Sequence, residues 1–186
     1  GPLSFLTWRF ALAFLLLLVL FWPRLRRTGL SRAGLLNGLG IGLALFGGYL
    51  FQTWGLLYTG ATKSGFITGL YVPFVPLLAA VAFNERVSRG GWLGTALSTL
   101  GLGLILFGRA GRGGEMGLNF GDFLTLLCAI SFALQIILID RFVNLENYPA
   151  ILVVQIGLVF LLSLVGALLL ERPTLQASPG AWQAIA

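Results

Sequence analysis

Long, almost uncharged apolar runs separated by short polar breaks make up nearly all of this chain, and that pattern leaves few ways to fold. A run of about 18 or more such residues can cross a hydrocarbon layer roughly 30 Å thick. The runs fall near 4–22, 34–57, 62–83, 91–108, 122–139 and 150–170. Backbone groups in lipid must be satisfied within the segment, and the runs are too long and too evenly apolar for the alternating strands of an outer-membrane barrel. The expected fold is an all-α membrane protein, a polytopic helical bundle. With 58% of its 186 residues hydrophobic, 10% charged and a mean hydropathy of +0.94, the chain has more apolar surface than one water-soluble core can absorb. The lipid bilayer is its first expected partner.

Charge sets the orientation. The loops near 23–33, 84–90 and 140–149 hold Arg24, Arg26, Arg27, Arg32, Arg86, Arg89 and Arg141, against Arg9, Lys63, Arg109, Arg112 and Arg172 on the other side. The four arginines of PRLRRTGLSR place that loop in the cytoplasm. The net charge of +6 sits at the ends of apolar runs and forms no basic face, so no nucleic-acid partner is expected. The chain has no histidine and one cysteine, Cys128, which removes the usual zinc ligand sets and the Ser/His and Cys/His nucleophile pairs. An enzyme is not expected, and neither is a cofactor or a metal. The first apolar run precedes its arginines, the reverse of a signal peptide. Both ends of the chain read as cut, with a new apolar segment beginning near Ala181.

The Gly-rich break GRAGRGGEMGLNFG lacks a Gly-Lys-Ser/Thr ending and follows no strand, so it reads as a connector and not a phosphate loop. RFALAFLLLLV at 9–19 aligns with QIGLVFLLSLV at 155–165, matching Phe14 with Phe160. The two segments lie an odd number of helices apart, so the later copy is inverted in the membrane, an architecture common among secondary transporters.

Gly34, Gly38 and Gly42 form a small-residue ridge that lets another helix approach closely; a homodimer through the same face is the alternative use. In ATKSGFITGLYVPFVPLLAAVAF, Pro73 and Pro76 should kink the helix, while Ser64, Thr68 and Tyr71 or Val72 share one face. Lys63 either snorkels to the outer interface or points into the bundle, where it offers a cation to an anionic or zwitterionic substrate. Gln52 is either packing glue or part of the same cavity. Arg9 snorkels or pairs. All six carboxylates, Glu85, Glu115, Asp122, Asp140, Glu146 and Glu171, fall in loops or at helix ends, so none is expected as a mid-membrane coupling residue. Glu85 has Arg86 and Arg89 as its nearest partners in sequence, and Ser88 is placed to cap the next helix.

The region YTGATKSGFITGLYVPFVPLLAAVAFNERVSRGGWLGTALSTLGLGLILFG resembles the end of an EamA repeat of the drug/metabolite transporter superfamily. The resemblance is carried by Ala61, Ser64, the two prolines, the Asn-Glu-Arg turn at 84–86, Ser88 and Gly94 with Gly101. GDFLTLLCAISFALQIILIDRF at 121–142 resembles the opening helix of a second repeat, and Arg9 matches an arginine that members often carry early in their second helix. The resemblance implies family helices two to seven of a ten-helix fold built from two inverted five-helix repeats around a central cavity. Residues 1–108 would then be a first repeat lacking its first helix, 109–121 a connector, and 122–186 the start of a second repeat. The function so implied is alternating-access transport of a small metabolite, such as an amino acid or a drug-like compound, with export the expected direction. The location so implied is a bacterial inner membrane. Gln52, Lys63, Phe66, Tyr71, Gln135 and Gln155 are the candidate substrate contacts. A channel or a structural membrane protein is the alternative.

Overall fold

The computed structural model describes residues 1–29, 31–110 and 119–171, with the side chains of residues 28, 102 and 105–110 excepted. Seven helical segments account for almost all of it: α1 (Pro2–Thr28), α2 (Arg32–Gly55), α3 (Ala61–Thr68), α4 (Tyr71–Phe83), α5 (Arg89–Ala110), α6 (Phe120–Phe142) and α7 (Tyr148–Leu170). No strand occurs among the described residues. Among the described residues five helices are long and apolar enough to cross a membrane, with α3 and α4 counting as one: Pro2–Arg27, Arg32–Gly55, Ala61–Phe83, Phe120–Phe142 and Tyr148–Leu170. The remaining expected run, 91–108, lies within the continuous helix α5, part of whose side chains are outside the described set. Residues 111–118 of the connector and the apolar segment near Ala181 also lie outside the described residues. Exposed Val19 (76%), Val81 (82%) and Leu169 (78%) show what the helices present outward, a surface that lipid accepts and water penalises.

Helix ends follow local chemistry. Gly29, at φ 68°, ends α1 and its N–H bonds Leu25 O, while Arg26 and Arg27 complement the dipole of the last turn. Ser31 Oγ accepts from Gly34 N at 3.0 Å, and Ser88 Oγ accepts from Gly91 N at 3.1 Å at the start of α5. Asn84, in the left-handed region (φ 53°, ψ 30°), ends α4, and the Glu85 N–H reaches back to Ala79 O. The third span breaks at Gly69–Leu70, one turn ahead of Pro73. In an unbroken α-helix residue 73 would donate to Gly69 O, but proline has no N–H. Val72 takes that carbonyl instead at 3.2 Å in a tighter turn, and Leu70 bonds Ile67 O. Pro76 lies inside α4, which continues through it.

By packing, the described residues group into two compact units, Gly1–Phe46 with residues 142–171, and those within Gly47–Arg141. In the first, α1 and α7 run antiparallel. Leu3 meets Gly166, Phe14 lies against Gly157 and stacks on Phe160 (6.1 Å between ring centroids, 17° between planes), and Phe21 meets Tyr148 edge-on. The Phe14–Phe160 contact joins the two positions matched in the internal alignment. The first half of α2 packs parallel to α7 through the glycine ridge: a Cβ on Gly42 would lie 2.9 Å from Gln155 Cα, and one on Gly38 would lie 2.7 Å from Val154 Cγ1. In the second unit, the last turns of α2 run antiparallel to α6, with Gly48 under the Phe132 ring. The α3–α4 span runs parallel to α6: Lys63 meets Asp122 at one end, and Arg141 meets Phe83 and Glu85 at the other. Glu85 thus reaches Arg141, at 3.9 Å, where its sequence neighbours Arg86 and Arg89 were the expected partners. Parallel spans bring their same-side ends together, and with both side chains 44% exposed the pair adds little stability.

Candidate functional site

The polar groups of the second unit converge where two glycines let backbones touch. A Cβ on Gly121 would sit 2.6 Å from Gly55 O and 2.9 Å from Thr59 N, and one on Gly55 would sit 3.0 Å from Gly121 O. Only glycine at both positions allows the end of α2 to lie against the start of α6 this closely. The contact carries the turn after α2 onto the first turn of α6.

That first turn is held by a reciprocal cap. The Asp122 N–H donates to Asn119 Oδ1 and the Asn119 N–H donates to Asp122 Oδ2, both at 2.9 Å. Asp122 is 3% exposed. Its other contacts come across the glycine junction: the Thr59 hydroxyl donates to Oδ1 at 2.7 Å and Lys63 Nζ to Oδ2 at 2.5 Å. The carboxylate therefore has its helix N-terminus, a hydroxyl and an ammonium on it, the full set of partners that a buried charge requires. Lys63 is the single lysine of the chain, and its side chain keeps 22% exposure.

From this pair a polar ladder runs along α3 and α6. Ser64 Oγ and Thr125 Oγ1 are 3.3 Å apart, with Thr125 also donating to Gly121 O. One turn further, Thr68 Oγ1 lies 4.0 Å from Cys128 Sγ and accepts from Gln52 Nε2 at 3.4 Å. Six residues separate Asp122 from Cys128, a rise of about 9 Å along the helix. Ser64 and Thr68 do share a face, and that face is turned to α6. Of the candidate substrate contacts, Gln52 and Lys63 belong to this ladder. Phe66, Tyr71 and Gln135 are half-buried in the same unit, and Pro73 is buried in α4.

Gln155 lies in the first unit, on α7, 5% exposed, with its backbone against Gly42. Its Oε1 and the Ser163 hydroxyl are buried without a hydrogen-bond partner among the described residues. Arg9, also in this unit, lies exposed on α1 with its guanidinium 5.8 Å from the Phe10 ring centroid. A groove of about 540 Å³ opens where α2 and α7 begin, lined by Arg24, Ser31, Gly34, Glu146, Asn147 and neighbouring residues. It contains none of the candidate contacts, so volume and chemistry point to different places. The chemistry is the better guide, because an open groove needs no special residues, whereas a carboxylate that is 3% exposed needs partners placed for it.

Asp122, Thr59 and Thr125 are the site residues that sequence reasoning missed. The pattern Asn-x-x-Asp at 119–122 marks a capped helix start, and a lone lysine among eleven arginines marks a position where a guanidinium does not serve. Neither signal names its partner 59 residues away. Among the described residues no group of His, Cys, Asp and Glu side chains could hold a metal ion.

The profile of the EamA-like transporter family matches residues 1–107. An uncharacterized transporter of Archaeoglobus fulgidus is 33% identical over 163 residues, which cover 88% of this chain and 48% of the relative. The chain therefore spans about half the length of the curated relative it matches. No solved structure matches it.

Proposed function

Because this chain belongs to the EamA-like transporter family, we propose that it is part of a secondary transporter that carries a small metabolite by alternating access. The single observation that carries the reading is the Lys63–Asp122 pair and its ladder, buried within a multi-pass membrane protein. The pair sits in the first turns of α3 and α6, at the ends of two spans, and the polar ladder leads from it into the spans, the kind of placement that suits the mouth of a pathway. In this reading Gln52 and Lys63 contact substrate from the ladder, with Phe66, Tyr71 and Gln135 supplying further walls. Gln155, in the first unit, is a candidate contact taken by itself, a role favoured by its amide oxygen, which is buried without a partner among the described residues. The break before Pro73 gives the third span a joint about which its two halves can move.

The wider architecture proposed is a ten-helix, two-repeat fold, with a first repeat over 1–108, a connector at 109–121 and a second repeat from 122. Support comes from the antiparallel α1 and α7 and the Phe14–Phe160 contact between aligned positions. In this proposal the arginine loop faces the cytoplasm, the membrane is the inner membrane of a bacterium, and the direction is export.

Reconstitution into liposomes and counterflow with a metabolite panel tests this. Saturable uptake that is accelerated by unlabelled compound on the far side is expected. Linear flux without acceleration would favour a channel.

A further inference from the structure

The groove of the first unit takes no part in the ladder, yet four arginines between positions 24 and 32 stand in or around it. Three spans, Pro2–Arg27, Arg32–Gly55 and Tyr148–Leu170, end or begin beside it, so it lies where an apolar layer gives way to lipid headgroups. Arg26 and Arg27 close α1, and Arg32 opens α2, where its charge adds to the positive end of that helix. Each of the three lies within two residues of a position that lines the groove. Their side chains are exposed, and among the described residues none of them meets a carboxylate. The Arg26 guanidinium lies 4.7 Å from the Trp22 ring centroid, a pairing that holds it at the depth where tryptophan belts sit.

At about 540 Å³ the groove falls within the range of small-ligand sites, about 300–1,000 Å³. Arg24, engaged with the Tyr148 hydroxyl and ring, forms one wall, and Glu146 is the carboxylate of the lining. Those two charges cancel, so the arginines of the rim set the net sign. Leu145 lines the groove as well and is 88% exposed, more than any other large apolar side chain described. Water penalises that surface, whereas the glycerol and acyl end of a lipid covers it. Glu146 discriminates in the same direction. A free phosphate brings nearly two negative charges beside it, while a phosphodiester brings one and carries headgroup hydroxyls that can donate to the carboxylate.

We infer that this groove and its arginine rim bind an anionic glycerophospholipid, the phosphodiester held by Arg26, Arg27 and Arg32 and the headgroup glycerol beside Glu146. Basic side chains clustered at the membrane boundary attract anionic lipid, and a cleft between spans gives the headgroup a fixed place. A lipid seated there touches the end of α1 and the starts of α2 and α7 at once, so it ties the three helices of the first unit together where they meet the headgroup layer.

Two readouts test this, neither of which depends on transport. Purified protein, stripped of lipid in detergent, is offered phosphatidylglycerol or phosphatidylcholine and weighed by native mass spectrometry. The parent should retain phosphatidylglycerol at least about tenfold better. Arg26→Gln/Arg27→Gln/Arg32→Gln should lose that preference, and lysine at the same three positions should keep most of it. Arg86→Gln/Arg89→Gln/Arg141→Gln removes as much charge from elsewhere and should bind as the parent does. Should the first glutamine variant not fold, Arg26→Gln/Arg32→Gln takes its place with the same expectation. Melting temperatures in detergent doped with either lipid give the comparison in solution: phosphatidylglycerol should raise the parent's above the value in phosphatidylcholine, and the two lipids should act alike on the variant. Inorganic phosphate at millimolar concentration should not displace the bound lipid. Equal retention of the two lipids by the parent, an undiminished preference in the variant, or equal loss in both triple variants overturns the inference. Displacement by inorganic phosphate overturns it too, and would make the groove a site for a soluble anion.

Discussion

The two packing units hold their helices together in opposite ways. The first puts its polar contacts at its ends: Glu171 on the start of α1, and Arg24 on the Tyr148 hydroxyl at the other end. Between those ends α1, α2 and α7 meet through glycine, aliphatic and aromatic groups, with Gln155 and Ser163 as buried exceptions. The second runs its polarity along the interface, from Asp122 and Lys63 down to Gln52, Thr68 and Cys128. In lipid, apolar burial gives little drive for helix association, so close packing of small residues and interhelical polar contacts are the two alternatives available. The first unit relies mainly on close packing between its ends, whereas the second adds a polar ladder to its glycine contacts at Gly48, Gly55 and Gly121. The close-packed unit suits a frame, and the polar one suits a place where something is bound or moved.

The contrast can be broken from either side. The largest effect is expected from Asp122→Ala, which leaves Lys63 beside a vacated charge and removes half of the α6 cap. Breaking a buried pair costs about 3–5 kcal/mol. Thermal unfolding in detergent should show it, and Lys63→Met combined with Asp122→Asn should recover most of the loss. Next comes Gly42→Val, whose side chain meets the Gln155 backbone. Overpacking of this kind costs about 1–3 kcal/mol. Gly40→Val, two residues away with nothing within 4 Å of its added Cβ, should stay within about 0.5 kcal/mol of the parent. Equal melting temperatures for the Gly42 and Gly40 variants would mean that the ridge does not hold α2 on α7.

The smallest effect concerns the clasp at the end of the first unit, through pH. Burial on its own would raise the Glu171 carboxyl. The Ser4 hydroxyl and the Leu3 and Ser4 amides outweigh it and hold the carboxyl below its ordinary value. A carboxyl whose value is lowered on folding contributes stability that is complete above the unfolded value of about 4.3 and is lost as pH falls through the folded one. Melting temperatures measured from pH 7 down to pH 3 should fall less steeply for Glu171→Gln than for the parent across that window.

Helix positions are legible in the sequence because lipid imposes length and polarity so strictly. The same holds for caps that are local, such as Ser88 on Gly91, and for the shared face of Ser64 and Thr68, which follows from helical spacing. The break at Gly69–Leu70 is only half legible: the prolines announce it, but the carbonyl that loses its donor lies four residues earlier. What escapes is partnership across distance. Asp122 reads as a helix-end carboxylate, and only the Gly55–Gly121 approach, invisible without coordinates, brings it under Lys63. Glu85 misleads for the same reason, since nearness in sequence favours Arg86 and Arg89 over Arg141.

The account stands on α3 lying against α6 with their polar faces together, and the chain's single cysteine allows a direct measurement. Thr68→Cys places a second thiol across from Cys128, where the present Oγ1–Sγ separation is 4.0 Å. Oxidation in lipid should close a disulfide between the two, seen as loss of both maleimide-reactive thiols and their return with reductant. Two thiols that stay free under oxidant, in protein that is otherwise folded, would contradict the ladder and everything built on it.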